Sequence, residues 1–62
     1  MMEYCAQWLL EYLRRAGRAN VKQVRLDAKK MGWTRGELKA ARREIGVQVV
    51  HDQTSDEWYW YV

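Results

Sequence analysis

Apolar residues return at helical spacing along the first part of the chain. Cys5, Leu9, Tyr12, Leu13 and Ala16 fall on one stripe, with Trp8 on its flank. Gly17 suits the position just past a helix, and Arg14 and Arg15 stand where cations complement a helix C-terminus. The pattern predicts a helix over 3–16. Asn20 is a good N-cap and pairs with Gln23 as a capping box, opening a second helix over 21–31. Its inward side is Val21, Val24, Ala28 and Met31, and Gly32 stops it. Thr34-Arg35-Gly36-Glu37 fits a Thr-x-x-Glu box, predicting a third helix over 35–45 with Leu38, Ala41 and Ile45 buried and Gly46 closing it. The period then changes to two. Val47–Val50 and Trp58–Val62 read as strands of a hairpin over 47–61, joined by the polar run Asp52–Glu57. Alternation puts Trp58 and Trp60 on one face, assigned to the core, and Tyr59 and Tyr61 on the other.

Three helices followed by a C-terminal β-hairpin predict one domain over 1–62. Its class is α+β, mainly α: a winged helix-turn-helix. Within the turn, small Ala28 allows close helix approach, Gly32 makes the bend, and Leu38 and Ala41 anchor the second helix. Asp27 departs from the pattern, since an apolar residue is usual before the alanine. Gly36 weakens the first turn of helix 3 by about 1 kcal/mol relative to Ala, and can let a backbone approach closely.

The run Ala28-x-x-x-Gly32-Trp33-Thr34-x-x-x-Leu38-x-x-Ala41-Arg42-x-x-x-Gly46-Val47, ending in Trp58-x-Trp60, resembles small winged-helix domains at the C-termini of bacterial plasmid and phage replication proteins. These are the RepA-like ATPases and primase–helicase proteins of mobile elements. The resemblance extends over nearly the whole chain and implies a DNA-associated role, as a DNA-binding or docking module of a replication protein. Its shared positions encode mostly packing and turns, and Arg42 is the one charged residue among them.

Composition narrows the function classes. A chain of 62 residues buries only about 60% of its unfolded surface, so the four Trp and four Tyr are needed for packing. The single cysteine, Cys5, excludes an internal disulfide and points to a reducing compartment, so a cytoplasmic location is expected. No apolar run is long enough for a membrane span, no signal-peptide core is present, and no membrane partner is expected. One His and one Cys in different elements give no metal site. No Gly-rich phosphate loop follows a strand, so neither cofactor nor catalytic residues are expected, and the chain reads as a non-enzyme.

Charge is the informative feature. All 11 Lys and Arg residues lie between Arg14 and Arg43, where Asp27 and Glu37 are the only acids; the flanks carry six acids and no Lys or Arg. Such asymmetry fits a one-sided polyanion-binding face. On helix 3 the candidate DNA contacts are Arg35, Lys39, Arg42 and Arg43, with double-stranded DNA as partner and the major groove as the site of entry. Arg18, Lys22 and Lys29 would anchor flanking phosphates. The hairpin tip, His51-Asp52-Gln53-Thr54-Ser55-Asp56-Glu57, has three acids and no permanent cation, so phosphates should repel it and the wing should stand clear. That motivates an alternative: a protein-docking or dimerising module using Tyr59 and Tyr61, with Tyr4 and Trp8 extending an exposed aromatic surface. A monomer or weak dimer is expected.

Overall fold

A computed structural model describes residues 4–62 of the chain. It contains α1 (Tyr4–Ala16), β1 (Ala19–Asn20), α2 (Val21–Lys30), α3 (Arg35–Ile45), β2 (Gln48–Asp52) and β3 (Glu57–Tyr61). The three helices and the hairpin lie where periodicity placed them; the start expected for α1 at Glu3 is outside the described residues. The polar connection is shorter than expected, because Asp52 and Glu57 pair as the last rung of the hairpin ladder. Strand β1 has no counterpart in the sequence reading. It pairs antiparallel with β3, giving a three-stranded sheet in the order β1-β3-β2. The architecture is mainly helical, of class α+β and winged-helix-like.

Local chemistry sets the boundaries. Thr34 and Glu37 form the reciprocal box: the Glu37 amide donates to Thr34 Oγ1 at 3.1 Å, and the Thr34 amide donates to Glu37 Oε1 at 3.0 Å. Asn20 accepts from the Lys22 amide at 2.9 Å, but Gln23 does not reach back to it. Gln23 donates instead to Asp27 Oδ1 at 3.2 Å, a charged acceptor one helical turn ahead. At the end of α2, Gly32 takes φ 85°. Its amide bonds Lys29 O and that of Trp33 bonds Ala28 O, the paired arrangement of a Schellman turn. Any side chain at Gly32 would strain this left-handed bend.

Leu9, Leu13 and Val24 are fully buried, joined by Cys5, Ala6, Ala28, Leu38 and Ala41, with Trp60 closing the core from the sheet. Helix α1 packs chiefly on α3, and α2 packs on the sheet. Three core assignments are corrected. Met31 is exposed because α2 ends at Lys30 and Met31 caps the turn. Ala16, the last residue of α1, is exposed because the stripe outruns what the other elements cover. Trp58 is 52% exposed, whereas Trp60 is 3% exposed. Strand β1 pairs only with Tyr59 and Trp60, so Trp58 lies beyond that cover.

Asp27, the residue that broke the helix-turn-helix pattern, has a partner. The Tyr12 hydroxyl donates to Asp27 Oδ2 at 2.6 Å, joining α1 to α2. Trp8 packs on Tyr12 with centroids 5.2 Å apart. Burial of the ring, reinforced by the bond to Asp27, raises the Tyr12 hydroxyl to about 12. The bonds from Tyr12 and Gln23 hold the Asp27 carboxyl below its ordinary range. The Asp27 contribution to stability is therefore present above the unfolded carboxylate value and lost as pH falls through the lowered one. The Tyr12 contribution is present below the unfolded phenol value and lost as pH rises toward 12. Tyr12→Phe should lower Tm near neutrality by roughly 4 °C or more. Thermal melts of both proteins should converge as pH falls through the lowered Asp27 value, where the carboxylate takes up its proton. A difference that is constant from pH 7 to pH 2 would contradict this pin.

Candidate nucleic-acid interface

Helix α3 lays Leu38 and Ala41 into the core, with Ile45 half-buried. That orientation leaves Arg35, Gly36, Lys39, Ala40 and Arg43 exposed to solvent. The three cations are separated by two small residues, so the helix backbone is accessible between them. A Cβ built at Gly36 would meet only Thr34 Oγ1 at 3.9 Å, so no internal contact requires the glycine there. Glu37 is tied into the capping box.

Arg42 is placed differently. It is half-buried, its guanidinium lies 4.6 Å from the centroid of the Trp60 ring, and its Nε is buried without a hydrogen-bond partner among the described residues. Stacking orients the arginine and takes part of it out of the exposed set. Arg42 thus links the helix surface to the core.

Ala28 is buried where α2 turns toward α3. The two helices diverge from their turn and pack on different partners, leaving a groove of about 900 Å³. Lys22, Arg25 and Lys29 line one wall, and Arg35, Lys39 and Arg42 the other. Trp33, Leu38 and Trp60 fill the space between, with Leu26 exposed at the lip. No Asp or Glu among the described residues lines this groove. Six cations around an apolar floor, without an acid, make a focused positive field.

Of the residues expected to act together, Arg35, Lys39, Arg42, Lys22 and Lys29 are gathered in the groove. Arg43 is exposed beside them on α3 but does not line the groove. Arg18 is directed elsewhere: its guanidinium lies 4.6 Å from the Tyr59 ring centroid, on the opposite face of the sheet. Arg25 was not among the candidates, although Lys22, Arg25 and Lys29 fall on one flank of α2 at spacings of three and four.

The acids of the wing serve its own structure. Asp52 Oδ1 accepts from the Thr54 and Ser55 amides, closing the turn. Asp56, at φ 55°, bonds His51 Nε2 at 2.8 Å. Glu57 Oε2 accepts from Asn20 at 3.3 Å, and Glu57 Oε1 lies 3.7 Å from Lys22 Nζ, tying the wing to the start of α2. His51 and Trp58 face each other across the hairpin and stack, centroids 4.4 Å apart. On the other face Tyr59 is half-buried under Arg18, Tyr61 is partly exposed, and Trp8 packs against the core, so the aromatic surface is broken up. Only Tyr4 stands fully out.

Among the described residues no cluster of His, Cys, Asp or Glu is arranged to hold a metal, and no helix is long and apolar enough to cross a membrane. No family model matches the chain, and no curated protein or solved structure matches it; these comparisons do not link it to replication proteins.

The two neighbouring arginines should therefore separate in stability measurements. Arg42→Ala removes the cation over Trp60 and should cost about 1 kcal/mol in urea unfolding. Arg43→Ala, at an exposed position, should stay within about 0.5 kcal/mol of wild type. Equal destabilisation by both would contradict the assignment of Arg42 to the core.

Proposed function

We propose that this domain binds double-stranded DNA, with α3 in the major groove and the cationic flank of α2 on the adjacent backbone. The observation that carries the reading is the acid-free basic surface shared by α2 and α3. An α-helix fits the major groove, and Gly36 and Ala40 keep the outward face of α3 narrow enough for close approach. Arg35, Lys39 and Arg43 supply base-edge or phosphate contacts; Lys22, Arg25 and Lys29 hold phosphates. Arg42 acts mainly by fixing α3 against Trp60. Involvement in the replication of a mobile element rests on the resemblance alone. No catalytic role is proposed. A docking role for the outer hairpin face has less support, because Arg18 covers Tyr59.

Fluorescence anisotropy with a labelled duplex tests the reading. Four to six phosphate contacts predict an affinity loss of roughly 10²–10³-fold between 50 and 200 mM salt. Lys39→Ala/Arg43→Ala should weaken binding and reduce the salt slope by about 2, while circular dichroism shows an unchanged fold. A folded wild type that does not bind duplex at low salt overturns the proposal.

A further inference from the structure

The sheet side of the basic groove opens into a smaller recess of about 380 Å³. Lys22, Arg25, Arg42 and Trp60 line both spaces, so the two are continuous. The character of the recess differs. Its far side is formed by Trp58, and Asp56 and Glu57 border it. On that side Asp56 and Glu57 offset the cations Lys22, Arg25 and Arg42, so the wing end of the recess suits a group that is flat, uncharged and able to donate hydrogen bonds.

Trp58 offers the platform. It is 52% exposed, one rung from the tip of the hairpin ladder, and one side of its ring is stacked on His51 at 22° between planes. His51 is held by Asp56, so the platform is ordered before any ligand arrives. Aromatic rings of this kind receive bases of single-stranded nucleic acid, because every base has a π-face. Asp56 completes the match: one carboxylate oxygen holds His51, and the other can accept from the exocyclic amino group of cytosine. The Asp56 side chain is largely exposed at the mouth of the recess.

We propose that the recess receives one unpaired nucleobase, stacked on Trp58, from a strand whose phosphates follow the basic groove. The preferred ligand is then a duplex carrying a single-stranded overhang, because bases inside a duplex are already stacked and cannot enter. Asp56 reads the base edge, and amino-bearing cytosine is favoured over thymine. This inference rests on the DNA-binding reading above.

Anisotropy titrations at one salt concentration would compare a blunt duplex with the same duplex bearing a three-nucleotide cytosine or thymine overhang. The cytosine overhang should bind about tenfold tighter than the blunt end, and tighter than thymine. Trp58→Ala should erase that gain and leave blunt-duplex affinity unchanged. A 2-aminopurine in the overhang, quenched on binding wild type, gives a readout that needs no variant. Equal affinity for blunt and overhanging DNA, without quenching, overturns the recess and leaves the duplex reading intact. An overhang preference that survives in folded Trp58→Ala also overturns it. Binding to none of the DNAs overturns both.

Discussion

Trp60 is the side chain on which the arrangement turns. It occupies the central strand of the sheet, opposite Ala19 on one side and Val49 on the other, and is 3% exposed. Truncating a buried tryptophan costs about 3–5 kcal/mol, comparable to the stability that a single core supplies in a chain this short. The same ring receives Arg42 and lines both the basic groove and the recess beside it. One residue therefore closes the core, orients the end of α3 and forms the inner wall of the candidate binding surface.

The surface follows from that constraint. With Trp33, Leu38 and Trp60 between them, α2 and α3 cannot close on each other and instead present two cationic walls. On the far side, the bond from Tyr12 to Asp27 fixes α2 against α1. Acids are placed where they do local work: Glu37 caps α3, Asp27 receives Tyr12 and Gln23, and those of the wing hold its turn and its link to α2. Among the described residues no acid lines the groove, and only Lys22, at its wing end, has an acid partner, Glu57.

The helices were legible because each carries its own signals. Thr34 with Glu37, the glycines after α2 and α3, and the apolar stripes all act within a few residues of one another. What escaped depends on contacts distant in sequence. Strand β1 has two residues, too few for an alternating pattern, and one of them, Asn20, also reads as an N-cap. Trp58 and Trp60 share a face, and alternation cannot tell which one the short β1 covers. Arg42 and Arg18 read as surface cations, yet each lies on an aromatic ring from the distant β3. Asp27 looked anomalous because its partner is fifteen residues away. Most groove cations were found from charge and helical spacing; the groove itself required the angle between α2 and α3.

A proton–nitrogen correlation NMR titration with a short DNA duplex, followed residue by residue, tests the proposed surface most directly. The largest shifts should fall on the amides of Thr34–Arg43 and on Lys22, Arg25 and Lys29 of α2. The Tyr12 side of α1 and the Arg18–Tyr59 face should change little. Shifts concentrated on the outer hairpin face around Tyr59 and Tyr61, with α3 silent, would contradict the assignment and place the partner on the opposite side of the sheet.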